Sequence, residues 1–267
     1  MRYLLIASIL LMSFLSACKP DGPDGDPDYG TARDNSQAIA AFDDVFTVGE
    51  QAMADAGVNK TSDLCAALTL DTAARRLTVD FGSGCTGPDG RTRAGIIRVD
   101  YEGRRFTPSF EATYTFINYT VEGVQVEGSL IVDGFARNAA GKLTFSYRIV
   151  GGKLTFEDET SASYNGTRTW TLAEGEGSFN PAEIVYEVTG SGTGVTRSGL
   201  AYTETIVTPL AVKVECMLGG DVFPVSGVQQ IVAAATGEVL SINYGDGACD
   251  KKGVLTWRGQ DYSFDLE

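Results

Sequence analysis

The stretch GKLTFSYRIVGGKLTFED, residues 141–158, decides the class of fold. Large apolar side chains alternate in it with Thr, Ser, Arg and Lys, the period of two that marks a strand with one packed and one wet face. The pentapeptide GKLTF occurs twice, at 141–145 and 152–156, eleven residues apart. That spacing fits successive strands of a meander, with Gly151-Gly152 as the turn between them.

The same period runs outward in both directions. Upstream lie AGIIRVDYEG, SFEATYTFINYTVEG and VQVEGSLIVDG. Downstream lie SASYNGTRTWTL, AEIVYEVTGSGTG, LAYTETIVTPLAVKVEC, PVSGVQQIVAA, EVLSINYGDG and GVLTWRGQDYSFDL. Turn signals fall at Glu122-Gly123, Asp133-Gly134, Gly151-Gly152, Gly199, Thr236-Gly237 and Asp246-Gly247. This is the signature of hairpins and meanders. No helical period interleaves with the strands, so a parallel α/β sheet is not expected. Further upstream, CAALTLD and RRLTVDFG read as a hairpin about residues 72–75, and GPDGR at 87–91 reads as a turn. About a dozen strands exceed one flat sheet. The expectation is a mainly β protein: a large curved antiparallel sheet, or a two-layer β meander, with one N-terminal helix packed on it. A transmembrane barrel would need outward aromatic girdles.

The helix is predicted over 35–57, capped by Asn35 or Ser36 and closed by Gly57. Ile39, Phe42, Phe46 and Met53 fall near one face, with Asp43, Asp44, Glu50 and Asp55 mostly off it. Residues 35–267 then form a single domain.

The N-terminus reads as an address. Arg2 precedes an apolar run from Leu4 to Leu15, the layout of a secretory signal peptide and shorter than the roughly 20 residues a membrane span needs. The run closes on Leu15-Ser16-Ala17-Cys18, which resembles the lipobox of bacterial lipoprotein precursors. The resemblance implies cleavage before Cys18, acylation of its thiol and amine, and a membrane partner reached through that lipid. Two or more acyl chains make such anchoring stable. Lys19, in place of Asp, implies the outer membrane, on its periplasmic face or at the cell surface. Residues 18–34 read as a flexible acidic tether rich in Pro, Gly and Asp. Asp24, Asp26 and Asp28 do not form a calcium loop. Counted from Asp24, Tyr29 and Asn35 stand where an EF-hand needs Gly and Glu.

The chain of 267 residues has a net charge of −14. Loss of residues 1–17 removes Arg2 as the only charge and leaves −15. So acidic a chain repels phosphate backbones, and no nucleic-acid partner is expected. There is no His, which removes Ser-His-Asp and Cys-His nucleophiles and His-ligated metals. No cofactor or metal is expected. Beyond Cys18 the four cysteines are Cys65, Cys85, Cys216 and Cys249, an even number that points to disulfides in an exported protein. Of the three pairings, Cys65–Cys85 and Cys216–Cys249 are preferred, because each links strands close in sequence.

Segments 80–104, 115–129, 198–216 and 243–266 together resemble a group of uncharacterised β-rich outer-membrane lipoproteins of Gram-negative bacteria. That resemblance implies no activity and no functional residue beyond Cys18. Places for chemistry are the acids of FEDET (Glu157, Asp158, Glu159) and AEGEG (Glu174, Glu176), which a glycosidase would use as a carboxylate pair. Tyr164, Trp170, Tyr186, Tyr202, Trp257 and Tyr262 are candidates for sugar stacking, although at period two they read first as packing. Asp246 and Asp250 could hold calcium or sit in a disulfide-pinned turn. The expected function is that of a lipid-anchored envelope protein without catalysis, structural or binding, with an envelope protein or a glycan as its possible partner. Alternatives are a carrier of a hydrophobic ligand on a concave sheet and a carboxylate-based glycan-active enzyme.

Overall fold

The computed structural model describes residues 27–57, 63–178 and 180–266. The predicted signal segment, Cys18, Asp24 and Asp26 lie outside the described residues. One helix, α1 (Tyr29–Gly57), precedes a single antiparallel sheet of fourteen strands. The strands are β1 (Ala67–Asp71), β2 (Arg76–Asp80), β3 (Cys85–Thr86), β4 (Thr92–Glu102), β5 (Glu111–Val121), β6 (Val124–Arg137) and β7 (Leu143–Thr155). They continue as β8 (Ser161–Glu174), β9 (Val185–Val195), β10 (Ala201–Lys213), β11 (Ser226–Ala233), β12 (Val239–Asp246), β13 (Lys252–Trp257) and β14 (Gln260–Asp265). A short helix, α2 (Val214–Leu218), follows β10. The sheet is a pure meander from β1 to β14, apart from the two-residue β3, which pairs only with β4. The mainly β, curved-sheet expectation holds, in its one-sheet form.

The alternation seen in sequence is the alternation seen in burial. Leu77, Val79, Ile97, Val99, Tyr114, Leu130, Val132, Tyr147, Ile231, Ile242 and Leu255 all point to one side and join one core cluster with α1. Strands as far apart as β2 and β14 share that cluster, so the sheet curls around the helix. Tyr29 at the start of α1 stacks on Phe264 of β14 at 6.4 Å, while the helix also touches β1, β2, β4, β6, β7 and β8. The β3–β4 connection and the segment after α2 come close together, where a Cβ on Gly220 would lie 2.3 Å from the Asp89 carbonyl oxygen.

The helix differs from its prediction in two ways. It begins at Tyr29, because Asp28 caps it by accepting the Thr31 N–H at 2.9 Å. The expected caps, Asn35 and Ser36, are interior and buried. Second, α1 has no wet face: between Tyr29 and Ala56 only Gly30, Arg33 and Ala54 are exposed. Asp43, Asp44 and Asp55 are buried too, against the expectation that they would lie off the packed stripe. A helix inside a curled sheet meets protein on every side, so its acids must find partners there. Small residues make room for it. A Cβ on Gly49 would sit 2.1 Å from the Tyr114 ring.

Two predicted turns are bulges instead. Gly151-Gly152 lies within β7, at a register shift against β8 between Ile149 and Gly152, so both copies of GKLTF share one strand apart from Gly141, Lys142 and Phe156. Asp133-Gly134 lies within β6, at a shift between Asp133 and Ala136. Bulges recur side by side from β4 to β7, with positive φ at Gly95, Asn118, Gly128 and Gly151. Each bulge bends its strand, and a row of them curls the sheet. The predicted turns at Glu122-Gly123, Gly199, Thr236-Gly237 and Asp246-Gly247 are turns or connections, as are those at 72–75 and 87–91.

Both preferred disulfides are present: Cys65–Cys85 ties the entry to β1 onto β3, and Cys216–Cys249 ties α2 to the β12–β13 connection. No described helix is long and apolar enough to cross a membrane.

Candidate functional site

Two features stand out once the helix is in place: a polar seam along α1, and an aromatic cavity at one end of it.

The seam begins with Asp44. Arg93 of β4 holds its carboxylate with two hydrogen bonds, Nε at 3.0 Å and Nη2 at 2.5 Å, and both side chains are 2 % exposed. Arg93 also donates to both oxygens of Asp89, and Tyr119 donates to Asp44 at 3.1 Å. Burial works against the Arg93 charge, but Asp44 and Asp89 outweigh it and raise its pKa. Bidentate, charge-assisted geometry of this kind is what a buried pair needs to offset desolvation.

Asp43, one residue earlier, faces different company. The Tyr147 hydroxyl donates to it. Burial pushes its carboxyl up to about 6, against smaller lowering by the Tyr147 hydrogen bond and by Arg168 through space. Arg168 of β8 instead pairs with Glu204 of β10 at 2.8 Å. Glu204 accepts from Tyr164 and from Gln229, each at 2.6 Å, and Gln229 accepts from Tyr244 at 2.6 Å. Nearer the start of α1, Asp34 receives the backbone N–H and the Nε of Arg197 at 2.8 and 2.7 Å. Asp44 and Asp34 pin the helix to the sheet, while the Arg168 and Glu204 group ties strands to one another and leaves Arg168 Nη2 without a partner among the described residues.

The cavity lies where Phe46 and Glu50 of α1 meet the strand ends. Its volume is about 230 Å³. Phe106, Phe135, Phe145, Trp170 and Tyr186 line it, and Met217 and Leu218 of α2 close one side. The rings interlock: Phe46 stacks on Phe145 at 5.2 Å, Phe145 on Trp170 at 6.0 Å, and Trp170 meets Tyr186 edge-on at 5.7 Å. The β4–β5 loop forms the rim. Thr107 anchors it by accepting from the Phe110 and Phe135 N–H groups, each at 3.1 Å. Arg105 pairs with Glu50 at 2.5 Å and lies 4.6 Å over the Phe106 ring. Phe106 itself is held at φ +62° and is 59 % exposed. A bulky residue in that region costs on the order of 1–3 kcal/mol and persists only where its surroundings impose it. Leu218, across the rim, is 44 % exposed.

The predicted site residues scatter. Glu157, Asp158 and Glu159 sit at the β7–β8 turn, where Asp158 accepts from Thr160. Glu174 and Glu176 lie at the other end of the 14-residue β8, roughly 40 Å away at the usual rise per residue. Glu176 pairs there with Arg137. The two clusters do not share a cleft. Tyr164, Trp170, Tyr202 and Trp257 are core residues, while Tyr186 and Tyr262 are half-buried. Asp250 accepts from the Lys252 N–H in a turn pinned by Cys249. Glu215, Cys216 and Cys249 come close together, but both sulfurs are in the disulfide and offer no thiolate to a metal. Sequence reasoning missed the aromatic cavity. Its lining residues are dispersed along the chain, from Phe46 to Leu218, and no local pattern marks them. No family model matches this chain, and no curated protein or solved structure matches it either.

Proposed function

We propose that this chain is a lipid-anchored cell-envelope protein of the outer membrane, held by an acylated Cys18, that acts by binding rather than by catalysis. The observation that carries the binding reading is a division of labour. The Asp44–Arg93 and Asp34–Arg197 pairs hold the helix and Arg168–Glu204 joins β8 to β10, whereas the aromatic cavity opens to solvent with Phe106 and Leu218 exposed at its rim. An open apolar pocket with few polar groups is the usual form of a small-molecule site. A carrier that lays a long hydrophobic chain along the concave sheet has that place taken by α1, so any such cargo is limited to what the end cavity admits. The lipobox Leu15-Ser16-Ala17-Cys18 supports the anchor.

Metabolic labelling with radioactive palmitate tests the anchor. Wild type should carry label and sediment with the outer membrane. Cys18→Ser should carry none and keep its signal peptide. Label on the Cys18→Ser variant, or an unlabelled wild type, removes the anchor from the proposal. Native mass spectrometry of protein purified from its own envelope tests the binding. A copurifying small molecule is expected, and Leu218→Trp, which narrows the rim, should lose it.

A further inference from the structure

We propose that residues 214–223, α2 and the stretch after it, form a lid shared by two cavities, and that the Cys216–Cys249 disulfide is a latch on it which a dithiol reductant opens. For its use the lid rests on the binding reading, because it walls the aromatic cavity; its construction is read from the fold alone.

One short segment borders three spaces. Val214, Met217 and Leu218 wall the aromatic cavity. Gly219, Gly220, Val222 and Phe223 wall a second and larger one of about 470 Å³, whose other sides include Ala40 and Ala41 of α1 and the β3–β4 connection. The disulfide itself lies in a surface recess of about 460 Å³, beside Gly219 and Lys251. The segment is the connection of the β10–β11 pair, which is closed behind it at Ala211 and Ser226. Movement of the segment therefore opens both cavities without unzipping the sheet.

Few hydrogen bonds tie it down. Its flanks are fixed where the Val214 N–H meets the Ile184 carbonyl at 3.1 Å and the Val225 N–H meets that of Ala211 at 2.8 Å. Between them the N–H groups of Gly219, Gly220 and Asp221 bond to carbonyls of Glu215, Cys216 and Met217, inside the segment itself. The Phe223 N–H donates to Asp221. Asp221 also lies beside the backbone N–H of Lys251, two residues from Cys249 on the same connection. Met217 and Val222 are buried anchors, while Leu218 and Gly219 face solvent. An element with so few outside bonds opens locally, well below the global transition.

The cross-link fills that gap, from the middle of the lid to the β12–β13 connection. Cys216 is buried and Cys249 is exposed, and exposed disulfides are the labile ones. One thiolate of the reductant attacks the Cys249 Sγ, the S–S bond breaks, and Cys216 leaves as a thiolate that takes a proton. The second thiol of the reductant then displaces Cys249 from the mixed disulfide. The reductant departs as its own disulfide, having supplied two electrons, and both cysteines end as thiols. The apolar anchors alone then seat the lid. Cys65–Cys85 borders neither cavity and serves as the control.

Hydrogen exchange read by mass spectrometry tests this on the full-length protein. Four samples are compared: oxidised wild type, wild type reduced with dithiothreitol, and the double variants Cys216→Ser with Cys249→Ser and Cys65→Ser with Cys85→Ser. Reduction and the first double variant should each speed exchange at residues 214–223 about tenfold or more, and by about tenfold more than any change in β8. The second double variant should alter exchange there by less than about twofold. Exchange at 214–223 that does not rise without the Cys216–Cys249 bond overturns the lid. A rise shared equally by β8 also overturns it, because the bond is then a staple of the whole fold. Alkylation of the folded, dithiothreitol-treated protein should label Cys216 and Cys249, and a pair that stays bonded overturns the latch. Each readout needs no ligand, so failure of the lid leaves the binding reading standing, and an empty cavity leaves the lid open to test.

Discussion

The two walls around α1 treat neighbouring aspartates in opposite ways. On the β4–β5 side Asp44 is clamped by Arg93, with Asp89, Tyr119 and a second cation, Arg91 at 3.4 Å, in the same cluster. On the β7–β8 side Asp43 meets a tyrosine hydroxyl and no cation in direct contact, because Arg168 is held by Glu204. The same residue type, at consecutive positions of one helix and buried at both, thus forms an ion pair on one side and, on the other, a carboxyl whose pKa burial pushes up. Burial alone does not set the charge state of a carboxylate. The geometry of its first partner does.

If the walls differ in this way, the largest effect should follow from breaking the clamp. Asp44→Ala leaves Arg93 buried beside Asp89 alone and should cost about 3–5 kcal/mol of stability, read by urea unfolding. The double change Asp44→Leu with Arg93→Met removes both charges and should cost less than Asp44→Ala. A double variant at least as damaged as the single would show that the cluster is not a desolvated pair.

The disulfides lie away from the β7–β8 side: Cys65–Cys85 ties the entry to β1 onto β3, and Cys216–Cys249 ties α2 to the β12–β13 connection. The chain-entropy cost of the loops, 20 residues for Cys65–Cys85 and 33 for Cys216–Cys249, predicts losses of about 3 and about 4 kcal/mol on replacement of each pair by Ala. Loss of Cys65–Cys85 should act on the N-terminal strands that hold Asp44. Hydrogen exchange should therefore rise first in β2 and β4 and leave β8 protected.

The opposite wall should show itself in pH. A folded pKa of about 6 against 3.8 for the free side chain means that the folded protein binds more protons between those values. Stability from this group is therefore greatest below pH 4 and falls as pH rises through 6, by about 3 kcal/mol in all. Asp43→Asn keeps an oxygen for Tyr147 and should remove that slope. Unfolding curves at pH 4, 5, 6 and 7 for wild type and variant would show it as a converging pair toward low pH. Parallel curves would place the titration elsewhere.

A smaller effect belongs to the packing that lets the helix sit between the walls. Gly49→Ala places a methyl group against Tyr114 and should cost about 1–3 kcal/mol by overpacking. An unchanged melting temperature would mean that Tyr114 can move aside.

Much of the fold was legible because period two is a local property. Leu77, Val79 and Phe81, or Leu143 through Ile149, declare their packed face within a few residues, and Glu122-Gly123 declares its turn. Gly151-Gly152 and Asp133-Gly134 misled for a physical reason. A glycine pair marks positive φ or close backbone approach, and a bulge inside a strand needs these as much as a hairpin does. At Gly134 the close neighbour is Pro108 of the β4–β5 loop, more than twenty residues away in sequence. The cavity was not legible, because Phe46, Phe106, Phe145, Trp170 and Tyr186 come from five separate elements. Trp170 and Tyr186 read in sequence as strand packing or sugar stacking, and neither reading places them on one cavity.

The sequence by itself determined the antiparallel strand pattern, most of its turns, the presence of one helix and the acidic character, and it favoured the disulfide partners that the structure shows. Each of these depends on residue type and short spacing. Only the tertiary structure decided that the sheet closes around the helix, that Asp43 and Asp44 are interior, and that an aromatic cavity remains at one end. Those outcomes depend on which surfaces meet after the chain has curled. Contacts of that range are set by the sum of many small bends at bulges, and no single stretch of sequence specifies the sum.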